Sequence, residues 1–155
     1  MSELKSVQLA IDLATRQRDA SGMLLVKVQR TWQGAMNQLE QLQSYAADTE
    51  SKWAVSGQSG VTPETVRHYY QFMDRLRQAM TLQDQAVANL NRDLVSARTV
   101  LMAAEVRIVS LNQLLNRKKS RIYQAAAGRE QKQMDEFAAT QHRRLRNLSD
   151  TREMS

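Results

Sequence analysis

Two seven-residue frames run through this 155-residue chain almost without interruption, and they leave few folds open. The first starts at Leu4. It puts Leu4, Ile11, Arg18, Leu25, Trp32, Leu39, Ala46 and Trp53 at position a, and Val7, Ala14, Ser21, Val28, Ala35, Leu42 and Thr49 at position d. Twelve of these fifteen are apolar. The second starts at Val66, with Met73, Met80, Val87, Leu94, Leu101, Ile108, Leu115 and Ile122 continuing its a row. Its d row is Tyr69, Leu76, Gln83, Leu90, Ala97, Ala104, Leu111, Lys118 and Ala125, and sixteen of the eighteen residues are apolar. A repeat of 3.5 residues held this long demands a partner helix and a left-handed supercoil. The expected class is therefore all-α, a coiled coil.

The stretch between the frames decides how the helices pair. Residues 56–60 read "SGQSG", and the chain's one proline follows at Pro63. Thr62 is an N-cap candidate, Pro63 suits the first helical position, and Val61 and Val66 have the spacing of a hydrophobic staple. The expected elements are a helix over 3–55, a hairpin tip over 56–62 and a second helix over 63–147, all in one domain spanning 1–155. A helix of that first length is roughly 80 Å long at about 1.5 Å per residue, so a connection under ten residues cannot return along it. The two helices must be antiparallel, with the second the longer. A bend inside 55–62 sets Leu39 opposite Leu76, Ala46 opposite Tyr69, Trp32 against Gln83 and Arg18 opposite Ala97, and it brings Leu4 level with Leu111. Beyond that level the second helix continues uncovered, so Ile122 and Ala125 meet nothing within the hairpin. After Ala125 the frame is lost, and Met134 and Phe137 fall on a shifted phase.

Composition agrees and excludes much else. Five glycines and one proline are present, where an average chain of this length carries about 18 such residues. Without cysteine there is no disulfide frame and no thiolate chemistry. No apolar run approaches a membrane span, and "MSELKSVQLAID" is not a secretory signal, so a cytoplasmic protein is expected. Catalysis has little to work with: His68 and His142 are far apart in sequence, no phosphate-cradling glycine loop or metal-ligand spacing occurs, and two helices offer no concave pocket. No enzyme activity, cofactor or metal is expected.

Two regions stand out as surfaces. Positions g of antiparallel helices flank one another, which gathers Gln38, Tyr45, Phe72 and Ala79, with the adjacent seam residues Leu42 and Leu76, on one side of the hairpin near its tip. Such a patch either widens the seam or binds a partner. The other surface is the basic C-terminal overhang over about 116–155. Residues 117–155 hold ten of the 22 Lys and Arg residues and five of the 16 acids, in runs such as "NRKKSRIY" and "HRRLRN". Arginines beside Ile122 suit an acidic protein surface, whereas nucleic acid would call for aromatic stacking residues among the arginines.

Three local patterns, in order, resemble the family of the flagellar export protein FliJ: "LATRQRDASGMLL", "QLEQLQSYAADTE" and "YYQFMDRLRQAM", within a match over roughly residues 8–115. The resemblance implies a non-enzymatic cytoplasmic stalk of the bacterial flagellar type III export apparatus. It implies docking in the hexameric export ATPase (FliI-like), contact with the export gate (FlhA-like), and a role with export chaperones. The family's gate-binding pattern falls on Gln38, Leu42, Tyr45, Phe72, Leu76 and Ala79. ATPase binding is carried over to Arg16, Arg18, Arg117, Lys118, Lys119, Arg121 and Ile122. Thr49 and Gln83 depart from the family pattern beside the gate patch. Membrane contact is expected through partners only, and nucleic acid is not an expected partner. The alternatives are the equivalent stalk of a virulence secretion system, a basic coiled-coil module for nucleic acid or anionic surfaces, and a homo-oligomeric scaffold assembling through Ile122, Ala125 and Phe137.

Overall fold

A computed structural model describes residues 2–57 and 60–154. It contains two helices: α1, Ser2–Ser56, and α2, Pro63–Glu153. They pack against each other as an antiparallel coiled-coil hairpin with the second helix longer, as the two frames require. Gln58 and Ser59 of the expected tip lie outside the described residues.

The chain divides into two compact units, Ala14–Val106 on the one hand, and Met1–Leu13 with Arg107–Ser155 on the other. In the Ala14–Val106 unit the buried residues are Ala14, Ala35, Leu39, Ala46, Met73, Leu76, Leu94 and Ala97, all of them at a or d positions. The remaining a and d residues of this unit are half-buried. Near the tip, Ala46, Met73 and Leu76 form a cluster on which Leu42, Tyr69 and Met80 pack. Among the described residues no polar or charged residue is buried outright. In the other unit, Val7 is buried, and Leu4, Ile11, Ile108, Leu111, Leu115 and Lys118 are half-buried. From Lys119 to Met154 every residue is exposed, Ile122 and Ala125 included.

The start of α2 is built as its sequence predicts. The Thr65 amide donates to Thr62 Oγ1 at 3.3 Å, the two threonine hydroxyls lie 2.7 Å apart, and the Val66 amide donates to the Thr62 carbonyl at 3.2 Å. This satisfies first-turn amides that the helix itself cannot. Val61 and Val66 are both half-buried, in keeping with their staple spacing. Gly60 carries the reversal at φ 80°, a left-handed conformation that side chains with a Cβ resist. A Cβ placed there would meet nothing within 4 Å, so substitution is penalised through the backbone alone. Gly60→Ala is expected to destabilise the hairpin by about 1 kcal/mol, lowering the melting temperature by roughly 2–4 °C in a circular dichroism melt. An unaltered melt would mean that the turn relaxes freely.

The expected register holds at Tyr45 and Phe72, which meet, and is displaced elsewhere. Gln83 bonds to Ala35 and Gln38 rather than lying against Trp32, and Trp53 stacks on Tyr69, which the expected register sets opposite Ala46. Arg18 lines a groove with Leu101 and Glu105, further along α2 than Ala97. Coverage of α2 in the Met1–Leu13 unit likewise extends past Leu111 to Lys118. The displacement is not uniform: Tyr45 meets Phe72 at the expected level, while the bonds of Gln83 and the Trp53–Tyr69 stack lie further toward later residues of α2, by up to about a heptad.

Candidate functional site

The hairpin-side patch lies wholly in the Ala14–Val106 unit. Tyr45 and Phe72, on opposite helices, meet edge to face, their ring centroids 5.8 Å apart and their planes at 78°. Tyr45 is 56% exposed and Phe72 38%, so the pair presents ring surface to solvent even as it holds the helices together. Leu76 is buried, and Leu42 packs on the cluster to which it belongs. Ala79 is half-buried and Gln38 exposed. Of the g residues Tyr45 and Phe72 meet, and the seam residues Leu42 and Leu76 pack in one cluster, so the six divide into surface and support.

Gln83 supplies an element that periodicity does not reveal. Its part-buried Nε2 donates to the Ala35 carbonyl at 2.8 Å and to Gln38 Oε1 at 3.1 Å. The first bond ties a side chain of α2 to the backbone of α1, and the second holds the Gln38 amide at the rim of the patch. Thr49 turns inward on its own helix, its hydroxyl donating to the Tyr45 carbonyl at 2.8 Å. Thr49 and Gln83 thus each bond to a residue of the patch, Tyr45 and Gln38. Toward the tip, Trp53 and Tyr69 stack with centroids 4.2 Å apart and planes within 3°, and Tyr70 abuts Tyr69 edge-on at 5.4 Å. This covers the seam end, as their positions a and d foretell.

The side on which the patch sits is the less polar of the two. In this unit the g rows are Gln17, Leu24, Thr31, Gln38, Tyr45 and Lys52 on α1, and Thr65, Phe72, Ala79, Ala86, Asp93 and Val100 on α2, with Lys52 and Asp93 the charged residues. Rows e include Glu50, Arg77, Asp84, Arg98 and Glu105. Leu24 and Val100, each about half exposed, are g residues that a reading confined to the aromatic end overlooks. Following both g rows through the whole frame would have found them.

The residues assigned to ATPase binding do not gather into one surface of either unit. Arg16 and Arg18 belong to the Ala14–Val106 unit, and Arg117, Lys118, Lys119, Arg121 and Ile122 to the other. Arg18 is engaged by Asp19 at 3.0 Å. Lys118 is half-buried, where no cover was expected. A long aliphatic stem can lie on the seam while the ammonium stays in water. Arg117, Lys119 and Arg121 are exposed, and Ile122 is 41% exposed.

Among the described residues nothing has the form of a catalytic centre. A groove of about 820 Å³ runs past Arg18, Met23, Val26 and Leu101, but Met23 is 76% exposed, so its walls are open to water. Among the described residues no three His, Asp or Glu side chains are grouped to hold a metal ion, and both histidines are exposed. No helix of the described residues is long and apolar enough to cross a membrane.

Fold and surface together define a structural two-helix coiled-coil hairpin with an aromatic side patch and a basic single-helix continuation. The chain belongs to the FliJ family: the family model for the flagellar FliJ protein matches residues 4–147, nearly its whole length. That family is a structural component of flagellar protein export. Neither a curated protein nor a solved structure matches the chain significantly.

Proposed function

We propose that this protein is a non-enzymatic cytoplasmic stalk of the flagellar type III export apparatus, docking in the hexameric export ATPase through its basic continuation and meeting the export gate through the Tyr45–Phe72 patch. Its family supports the export role. The observation that carries the docking assignment is the end of coverage at Lys118. From there α2 continues with every side chain exposed, opening on Lys119, Arg121 and Ile122. A bare basic helix can enter a ring whose interior is acidic, where complementary charge speeds and orients association. The gate would be met by aromatic rings already ordered against each other, which lowers the entropic cost of binding. Service to export chaperones would follow from the same exposed helix.

Charge reversal tests the docking end. Arg117, Lys118, Lys119 and Arg121 changed together to glutamate should weaken binding to the export ATPase by about tenfold or more, with the effect shrinking at high salt. ATPase stimulation should fall with it. Unchanged binding in a titration at low ionic strength would remove the basic end from the docking site.

A further inference from the structure

Beyond Lys118 the apolar residues of α2 are not scattered. Tyr123, Met134 and Leu145 recur every eleven residues, and so do Ala126, Phe137 and Leu148. Glu130, Gln141 and Arg152 form a polar row on the same face. Eleven residues in three turns give about 3.67 residues per turn, against 3.5 for the hairpin frames. The face is thus built for a straight or slightly right-handed pairing and cannot continue the hairpin seam. Met134, Phe137, Leu145 and Leu148 are each more than 60% exposed, a contiguous stripe with no cover in the chain itself. A groove beside Met134 and Phe137 follows it.

We propose that this stripe is covered by the same stripe of a second copy of the chain, running antiparallel and crossing at Gln141. In that register Met134 faces Leu148 and Phe137 faces Leu145, each pair occurring twice. Gln141 meets Gln141, and two amides can bond to each other. Glu130 comes opposite Arg152, and at the flank Asp135 comes level with Arg146. A parallel pair would instead stack Glu130 on Glu130 and Arg144 beside Arg144. Sliding the antiparallel pair by one eleven-residue repeat sets Arg129 beside Arg144 and Asp135 beside Asp135. Like charges disfavour both alternatives, and a lone polar residue in an apolar seam fixes register at some cost in stability. The overlap lies past Lys118, so nothing that covers the rest of α2 is displaced.

The absence of cysteine makes the test clean. Sedimentation equilibrium across the micromolar range should show reversible conversion of monomer to dimer. Phe137→Ser should raise the dissociation constant by about a hundredfold, since each dimer loses two buried rings. E130R and R152E should each weaken the dimer, and the double variant carrying both should restore it. In oxidised mixtures, Met134→Cys chains should cross-link to Leu148→Cys chains, and Gln141→Cys chains to themselves. A monomer at every concentration overturns the proposal, as does cross-linking of Met134→Cys only to itself, or a double variant no stronger than the single ones. If the chain stays monomeric while Phe137→Ser weakens ATPase binding alone, the stripe belongs to the ATPase and not to a second copy. The charge-reversal sites at Arg117 to Arg121 lie outside the overlap, so failure of the docking assignment is read separately.

Discussion

Alanine at both Tyr45 and Phe72 is expected to remove most of the binding to the export gate while leaving the far-ultraviolet circular dichroism of the chain unchanged. The two rings are the patch residues that combine large apolar area with exposure, and each already stands against the other at 5.8 Å. Aromatic anchors at the centre of an interface are typically worth about 2 kcal/mol or more apiece, roughly thirtyfold in affinity. Because edge-to-face packing holds each ring, truncating one also loosens its neighbour, so the double change should cost less than the two single changes multiplied. Leu76 would be a poor choice for this experiment. It is buried, and its loss would weaken the hairpin whether or not the gate touches it. Gate binding that survives loss of both rings would leave the aromatic pair as a clasp between helices and nothing more.

The other large effect concerns stability. Met73→Ala is expected to cost about 3 kcal/mol, lowering the melting temperature by roughly 10 °C. Met73 is 2% exposed and sits between Ala46 and Leu76, with Leu42, Tyr69 and Met80 closing the cluster. Two helices make a core one layer thick, so a void here has no third element to collapse into it, and Ala46 across the seam is already small. Phe137→Ser, on the uncovered part of α2, provides the contrast and should leave the melt of the monomer near its original value. A Met73→Ala melt equally unchanged would show that the cluster contributes nothing near the tip.

How far these features could be read from residues alone follows from what a repeat does and does not encode. Which face each helix buries is written at every seventh position, and coverage follows the two frames as far as Lys118, with Ile122 and Ala125 bare as expected. The pairing level is another matter. A heptad pattern slid by one repeat matches itself nearly as well, so apolar spacing cannot choose between neighbouring registers. The choice falls to the turn, where Gly60 at φ 80° and the run of α1 to Ser56 set the fold point. That is why Gln83 lies beside Ala35 and Gln38 and not against Trp32. At the patch the expected level is kept, and Tyr45 meets Phe72. The capture of Arg18 by Asp19 depends on side-chain conformations that spacing does not specify. The eleven-residue order past Ala125 looks like mere loss of frame until exposure shows its apolar members on one uncovered stripe.

Gln83 has one more implication. In a zipper whose described residues bury no polar group outright, hydrocarbon can glide over hydrocarbon at little cost, and a load applied along one helix could ratchet it past the other by a tooth. The amide bonded across to the Ala35 carbonyl is the detent against such travel: a slipped pair must break that bond and leave a shielded carbonyl without its donor. Mechanical fidelity would then reside in a single glutamine, set where the aromatic clasp begins.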